Sequence, residues 1–322
     1  MVATDGVSKL GLAPLSDDEQ FEVVVIGDST RTEFAGALAV ASGLIVRSAT
    51  KVDVAMLNGA PDLKVIGRAG VGIDNIDLEA SSERGIAVMN APSGNTVSAA
   101  ELTMALILSA ARWVPAADRS IREGKWERAR LRGMELRGKT LGLIGAGRIG
   151  SEVAARCRSF AMDVIAYDPL LTAERAHELR LDLVDLDEVL TRADVISLHV
   201  PLTDETLGLI DESSLAKMKS EALVVNTSRG GVIDEHALAA ALVSGSIAGA
   251  ALDVYETEPI PADSPLRDAP NLILTPHLGA STKEAQIHVA HEVAEAIRAV
   301  LVRGDVSAAI NASEIAGAYG LS

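Results

Sequence analysis

Cysteine and aromatic residues are scarce in this sequence. Cys157 is the single cysteine among 322 residues, so the chain cannot form an internal disulfide, and a reducing cytoplasmic compartment is expected. Because Cys157 lies in an apolar helical stretch, we interpret it as a buried structural thiol. Aromatic residues make up only 2% of the chain. The 48% of hydrophobic residues are mainly Ala, Val, Ile and Leu, as in buried parallel strands and closely packed helices.

Long hydrophobic runs and excess positive charge are absent as well. The longest apolar stretch, Val97–Ala111, contains Glu101 and Thr103 and is shorter than the about 20 residues of a membrane span. No N-terminal segment has the pattern of a signal peptide. The net charge of −16 argues against a nucleic-acid-binding surface. The sequence therefore predicts a soluble protein without membrane or nucleic-acid partners. If its ligands are anions, we expect basic residues to be clustered at the binding site.

Short β-branched runs alternate with helical patterns along the whole chain, which is typical of parallel sheets with crossover helices. The length suits two such domains. Five strands are predicted in the first third: Val2–Thr4, Phe21–Ile26, Leu44–Arg47, Lys64–Gly67 and Ile86–Met89. Six more follow: Thr140–Ile144, Asp163–Tyr167, Asp194–Leu198, Ala222–Asn226, Ala248–Leu252 and Asn271–Leu274. A long helix is predicted from about Lys283 to Arg303, ended by Gly304.

A glycine-rich turn, Gly145–Gly150, connects a predicted strand to a predicted helix with the spacing GxGxxG. Gly145 allows the tight turn, Gly147 lets the backbone approach a pyrophosphate, and Gly150 lets the helix pack on the strand. Asp168 ends the next strand, where a carboxylate binds the ribose hydroxyls of NAD and repels the phosphate of NADP. A turn carboxylate before Pro169 is the alternative. The pattern predicts a Rossmann domain that binds NAD, and no metal site is predicted.

Three chemistry-bearing residues follow strands of this second series: Arg229, Glu258 and His277. The carboxyl ends of parallel strands meet at one edge of a sheet, so we expect these side chains to converge beside the cofactor. A histidine suits removal of a hydroxyl proton, a carboxylate orients it, and an arginine grips a substrate carboxylate at two points. Singly, each could be a surface or packing residue. Together they predict oxidation of a 2-hydroxy acid.

Several stretches closely resemble the D-2-hydroxyacid dehydrogenase family, and within it the phosphoglycerate dehydrogenase branch. They include IVRSATKV from Ile45, KVIGRAGVGIDNIDLEA from Lys64, GKTLGLIGAGRIG from Gly138, NTSRGGVIDE from Asn226 and TPHLGASTKEAQ from Thr275. The resemblance implies the catalytic set Arg229, Glu258 and His277. It implies cofactor contacts at Val71, Gly145, Gly147, Arg148, Ile149, Gly150, Asp168, Val200, Thr227, Ser228, Asp253, Gly279 and Ala280.

The resemblance also implies a discontinuous architecture of two doubly wound α/β domains. A flavodoxin-like substrate domain would comprise residues 1–93 and 284–322, with the Rossmann domain, residues 94–283, inserted into it. A homodimer is implied as well. Many members of the branch continue into a regulatory domain, whereas this chain ends at residue 322. We therefore interpret it as a short form or a catalytic fragment, without serine inhibition through such a domain.

Arg47 and Arg68 both end strands of the first sheet, and two cations together in a protein of charge −16 suit a phosphate. Exposed strand-end arginines are the alternative. The predicted substrate-binding set is Arg47, Arg68, Gly70 and Arg229. The resemblance implies that the reaction is NAD-dependent oxidation of (2R)-3-phosphoglycerate to 3-phosphooxypyruvate, the first step of L-serine biosynthesis. The rivals are a hydroxypyruvate or glyoxylate reductase, and an NAD-sensing corepressor of the same fold.

Overall fold

The computed structural model describes residues 1–30 and 32–320. It divides into two compact units, of which the first comprises Met1–Asn95 and Ala280–Ser322, and the second comprises Thr96–Gly279. The predicted domain boundaries, after residues 93 and 283, lie two and four residues from the boundaries between these units, which follow residues 95 and 279. The C-terminal segment belongs to the first unit.

The first unit is built on a parallel sheet of five described strands in the order β2-β1-β3-β4-β5, the flavodoxin order. Strands β3, β4 and β5 are buried along nearly their whole length, as their near-continuous apolar sequences require. The predicted strand Phe21–Ile26 is reduced to Val24–Val25, because it lies at the sheet edge and pairs with only one strand. The bounds are β1 Val2–Ala3, β2 Val24–Val25, β3 Gly43–Val46, β4 Val65–Arg68 and β5 Ala87–Asn90. The helices between these strands are α1 Ala13–Ser16, α2 Thr32–Leu38, α3 Val54–Asn58 and α4 Leu78–Glu83.

The second unit contains seven strands in its described residues, in the order β12-β11-β10-β9-β6-β7-β8. Counted from β6, this is the Rossmann order 3-2-1-4-5-6 with one strand added. The prediction of six strands was wrong, since it missed β8, a two-residue edge strand too short to show an alternating pattern. The strands are β6 Thr140–Ile144, β7 Asp163–Tyr167, β8 Asp182–Leu183, β9 Val195–Leu198, β10 Leu223–Asn226, β11 Gly249–Leu252 and β12 Leu272–Leu274. The helices are α5 Thr96–Ala111, α6 Val114–Arg122, α7 Arg148–Ser159, α8 Ala173–Glu178, α9 Leu186–Arg192, α10 Glu212–Lys217 and α11 Glu235–Ser244.

The long C-terminal helix α12, Lys283–Arg303, has the predicted bounds and is followed by α13, Ala312–Ile315. The Thr282 side chain caps its start by accepting a hydrogen bond from the Ala285 N–H at 3.0 Å. Gly304 ends it with a φ of +64°. The buried face of α12 packs so closely on β4 that a Cβ at Gly67 would lie 2.6 Å from the side chains of Val293 and Ile297.

The apolar stretch Val97–Ala111 lies in helix α5, and half of the 16 residues of that helix are buried. In the part of the chain that is described, no single helix is long and apolar enough to cross a membrane, although α5 and α6, bent by 61°, pass that test as a pair. Cys157 lies on α7 and is fully buried beside Met104, with the two sulfur atoms 3.5 Å apart. The prediction of a buried thiol is confirmed, and burial raises the pKa of the Cys157 thiol to about 12, which disfavours the reactive thiolate.

Candidate active site

The glycine turn that joins β6 to α7 depends on close backbone contacts. Gly145 has a φ of +90°, and a Cβ at this position would lie 2.5 Å from the carbonyl oxygen of His199. A Cβ at Gly150 would lie 2.3 Å from the carbonyl oxygen of Gly145. Gly147 differs, because a Cβ there would meet nothing within 4 Å. Gly145 and Gly150 are therefore required by packing, whereas Gly147 leaves open space in front of the first turn of α7.

That first turn presents backbone N–H groups and the positive end of the helix dipole to the space beside Gly147. Arg148 at the start of α7 is exposed, and Ile149 is partly buried. An anionic pyrophosphate fits such a turn without a side chain in the way.

Asp168 directly follows β7 and is tied to the glycine turn. Its Oδ2 accepts a hydrogen bond from the Ala146 N–H at 2.8 Å, and its Oδ1 accepts one from the Leu170 N–H at 3.0 Å. Each carboxylate oxygen has a second lone pair, so both remain able to accept from ribose hydroxyls. The carboxylate is thus held beside the glycine turn with both oxygens able to accept further hydrogen bonds, and its contact with NAD remains a prediction.

The other predicted cofactor contacts of the second unit also follow strands at the carboxyl edge. Val200 follows β9, Thr227 and Ser228 follow β10, Asp253 follows β11, and Gly279 follows β12. Val71 and Ala280 belong to the first unit. His199 lies at the same edge, and burial lowers its pKa to about 4. It therefore stays neutral near neutral pH.

The Arg229 loop is organised by Asn226, the last residue of β10, which is 2% exposed. The Asn226 side-chain amide donates to the Arg229 carbonyl oxygen at 2.8 Å, and its oxygen accepts from the Ser228 N–H at 2.9 Å. The Arg229 guanidinium in turn donates to the Ser228 carbonyl oxygen at 2.7 Å. A Cβ at Gly230 would lie 1.8 Å from the carbonyl oxygen of Tyr255, so only glycine lets the two loops touch. Neither Asn226 nor Gly230 was among the predicted site residues.

His277 and Glu258 form a hydrogen-bonded pair, with Nδ1 of the imidazole 2.8 Å from Oε2 of the carboxylate. The other oxygen, Oε1, accepts from the Tyr255 N–H at 3.2 Å. Partial burial alone would raise the pKa of Glu258, but the hydrogen bond and charge of His277, with smaller effects of Tyr255 and Arg229, hold this pKa below its usual value. The side chains of His277 and Glu258 are 45% and 37% exposed, so a substrate can reach the free imidazole nitrogen.

The backbone around His277 is held by the buried carboxylate of Asp253, which is 0% exposed. Its Oδ1 accepts from the Thr275 hydroxyl at 2.6 Å and from the Leu278 N–H at 2.7 Å, and its Oδ2 accepts from the Gly279 N–H at 2.9 Å. His277 itself has a φ of +53°, a left-handed conformation that needs such support. A cofactor contact of Asp253 remains a prediction, and its role as a support of this loop was missed. A carboxylate placed directly after a buried strand was the available signal.

The predicted substrate arginines of the first unit lie at neighbouring strand ends. Arg68 is the last residue of β4, and its partner across the parallel ladder is Val46, which precedes Arg47. Gly70 has a φ of +154°, and a Cβ there would lie 1.7 Å from an Arg68 guanidinium nitrogen. The structure thus places Arg47 and Arg68 at the ends of neighbouring strands, with the Arg68 side chain packed on Gly70. Their binding of a substrate phosphate remains a prediction.

A sequence profile described as "D-isomer specific 2-hydroxyacid dehydrogenase, NAD binding domain" matches residues 104–279, which is more than half of the chain. The chain belongs to the D-isomer-specific 2-hydroxyacid dehydrogenase family. NAD is the cofactor of the matched domain, in agreement with the fit of the glycine turn and Asp168.

Solved structures similar to this chain have the same fold. A protein from Thermus thermophilus is 37% identical, with a TM-score of 0.84 over 94% of this chain and 96% of that one. The D-lactate dehydrogenase of Aquifex aeolicus, solved with NAD and lactic acid, is 30% identical, with a TM-score of 0.80 over 95% and 96%.

Two curated relatives are named D-3-phosphoglycerate dehydrogenase. The Archaeoglobus fulgidus protein is 52% identical over 276 residues, which are 86% of this chain and 52% of the relative. The Mycobacterium bovis protein is 46% identical over 311 residues, which are 97% of this chain and 58% of the relative. The chain therefore spans about half the length of the curated relatives it matches.

The Asp168→Ala variant tests the cofactor site of this family member. We expect the Kd for NAD, measured by fluorescence titration or calorimetry, to rise roughly tenfold to hundredfold, because charge-assisted hydrogen bonds to the ribose are lost. Discrimination against NADP should fall at the same time. Asp163→Ala is the matched control, since Asp163 is an exposed residue at the opposite end of the same strand. An unchanged Kd in the Asp168→Ala variant would contradict the assignment.

Proposed function

We propose that this protein oxidises (2R)-3-phosphoglycerate to 3-phosphooxypyruvate with NAD, the first step of L-serine biosynthesis. The observation that carries the substrate class is that two cations end adjacent strands: Arg68 pairs with Val46, and Arg47 is the next residue after Val46. The His277–Glu258 hydrogen bond supports the reaction type, and the names of the two curated relatives agree with both. The direct test compares NADH formation from 3-phosphoglycerate with NADH formation from D-glycerate and with NADH consumption by glyoxylate. Equal efficiency with the unphosphorylated acids would overturn the substrate assignment.

The proton chemistry follows from the His277–Glu258 pair. Because Nδ1 is hydrogen-bonded to Glu258, Nε2 is the nitrogen left to accept the proton of the substrate's C2 hydroxyl. NAD, when bound, accepts the hydride released from C2 as the C2–O bond becomes a carbonyl. The imidazolium that forms is stabilised by the adjacent carboxylate, which stays ionised because its pKa is held below the usual value.

We propose one role for the arginine of the second unit and another for the two arginines of the first unit. Arg229 holds the carboxylate by two parallel hydrogen bonds, which fixes the face of C2 that meets the nicotinamide. Arg47 and Arg68 hold the phosphate. In a protein of net charge −16, such local cations are needed to offset the repulsion of a trianionic substrate.

Substitution of the phosphate ligands separates this substrate from its unphosphorylated analogue. We expect Arg47→Ala and Arg68→Ala each to raise the KM for 3-phosphoglycerate roughly tenfold to hundredfold, because each loses charge-assisted hydrogen bonds. The KM for D-glycerate, which lacks the phosphate, should change much less. Arg84→Ala is the control, since the Arg84 side chain donates to the Ala80 carbonyl oxygen and to the Asn58 side chain in the same unit. Equal changes for both substrates would rule out a phosphate role.

A homodimer and a cytoplasmic location also remain proposals. Trp126 and Ile121 lie in or just after α6 and are 80% and 55% exposed, which supports a self-association surface there. Sedimentation equilibrium measures the mass, and a monomer at micromolar concentration would contradict the dimer.

A further inference from the structure

The loop Arg47–Thr50, which follows β3, is held by two side chains from other parts of the first unit. Asp5 Oδ2 accepts from the N–H groups of Arg47 and Thr50 at 2.9 and 3.0 Å. Asn75 Nδ2 donates to the carbonyl oxygens of the same two residues at 2.8 and 2.6 Å. The Thr50 hydroxyl adds a hydrogen bond to Asp5 Oδ1 at 2.6 Å. One carboxylate and one amide thus satisfy both ends of the loop.

The sheet order explains this arrangement. Strand β3 lies between β1 and β4, so the loop that follows it has one neighbouring loop on each side. Asp5 comes from the loop after β1, where it has a φ of +58°, and Asn75 comes from the segment after β4. The Asn75 backbone is fixed as well, because its carbonyl oxygen accepts from the Val52 N–H at 2.8 Å. We call Asp5 and Asn75 the loop clamp.

The clamp fixes the backbone from which the Arg47 side chain starts. Thr50 is 1% exposed, whereas Ser48 and Ala49 between the clamped residues are exposed. A loop with exposed central residues and no ladder of its own would otherwise sample many conformations, and ordering it on binding would cost affinity. Four hydrogen bonds from Asp5 and Asn75 to the backbone of Arg47 and Thr50 order the loop before the substrate binds, so binding does not have to supply this ordering free energy.

We propose that Asp5 and Asn75 are positioning residues for phosphate recognition, which hold the Arg47–Thr50 loop in the conformation that presents Arg47 beside Arg68. Neither residue was among the predicted site residues. The inference rests on the proposed function, since Arg47 is the phosphate ligand there. It makes substrate selectivity depend on two residues that do not themselves contact the substrate.

The Asn75→Asp variant tests the clamp with almost no change in volume. A carboxylate cannot donate, so its oxygens would face the carbonyl oxygens of Arg47 and Thr50 and the loop would be released. We expect the KM for 3-phosphoglycerate to rise roughly tenfold to hundredfold, from the loss of two hydrogen bonds, with kcat at saturation within about twofold. The KM of D-glycerate, or its inhibition constant, should change by less than about threefold.

Two variants of Asp5 provide a rescue test. Asp5→Ala removes three hydrogen bonds and should raise the KM for 3-phosphoglycerate as Asn75→Asp does. In Asp5→Asn, the amide oxygen can still accept from both loop N–H groups while the amide nitrogen donates to the Thr50 hydroxyl. This variant should therefore keep a nearly normal KM. A KM as high in Asp5→Asn as in Asp5→Ala would overturn positioning by hydrogen bonding.

Asn311→Asp is the control for the same substitution elsewhere in the first unit. Asn311 is fully buried and bonds Ile86, Ser82 and Val88 at the amino end of β5, away from the loop clamp. The Asn311→Asp variant should have a lower melting temperature than wild type, with an unchanged ratio of the KM for 3-phosphoglycerate to the KM for D-glycerate. The clamp is overturned if Arg47→Ala raises the KM for 3-phosphoglycerate but Asn75→Asp does not, or if Asn75→Asp raises both KM values equally. If Arg47→Ala leaves the KM for 3-phosphoglycerate unchanged, the proposed phosphate ligand is overturned, and the clamp's role with it.

Discussion

His277→Ala is expected to lower kcat for 3-phosphoglycerate oxidation by about a hundredfold to ten-thousandfold, the usual contribution of a general base. The reason is the loss of Nε2, the nitrogen left to take the C2 hydroxyl proton while Nδ1 bonds Glu258. The Kd for NAD should remain within about twofold, because the glycine turn and Asp168 are formed by other residues. Steady-state kinetics and an NAD titration measure the two quantities.

A second variant separates the effect of losing the imidazole from the effect of backbone strain at residue 277. His277 has a φ of +53°, which alanine tolerates poorly and asparagine tolerates well. His277→Asn should therefore have the same low kcat as His277→Ala but less backbone strain, so it should melt at a higher temperature than His277→Ala. His177→Ala is the control, since His177 is an exposed residue of α8. Near-normal turnover in His277→Asn would exclude the acid/base role.

The fold was largely predictable because its determinants are local. Buried parallel strands such as β9, β10 and β11 show as continuous apolar runs, and Gly304 marks the end of α12 by its conformational freedom. Edge strands were not predictable to the same degree. Strands β2 and β8 have two residues each, and their pairing depends on neighbours that no local pattern identifies.

The candidate site was predicted from one rule, that residues following parallel strands gather at the carboxyl edge of the sheet. That rule placed His277 and Glu258 at one edge of the sheet, and their hydrogen bond confirms that the two meet. It could not identify the supporting residues Asp253, Asn226 and Asn75. Their roles depend on hydrogen bonds to loop backbones distant in sequence, and those bonds exist only once the loop conformations are set.

The Glu258→Gln variant should reduce kcat for oxidation by about a hundredfold or more, through the tautomer of His277 rather than through its absence. Glu258 Oε1 accepts from the Tyr255 N–H, so the single oxygen of a glutamine is favoured at that position. Its NH₂ group would then face Nδ1 and donate to it, which leaves the proton on Nε2. An imidazole protonated at Nε2 cannot accept the proton of the substrate hydroxyl.

The pH dependence distinguishes this explanation from a general loss of structure. Because the folded-state pKa of Glu258 is lowered, its contribution to stability is fully present above the unfolded-state pKa and is lost as the pH falls through the lowered value. Wild type and Glu258→Gln should therefore have similar melting temperatures at strongly acidic pH and diverge as the pH rises, with the variant less stable. Glu256→Gln, on the same loop with an exposed side chain, should match wild type in rate and stability. A Glu258→Gln enzyme that retains its oxidation rate would show that the carboxylate does not set the tautomer of His277.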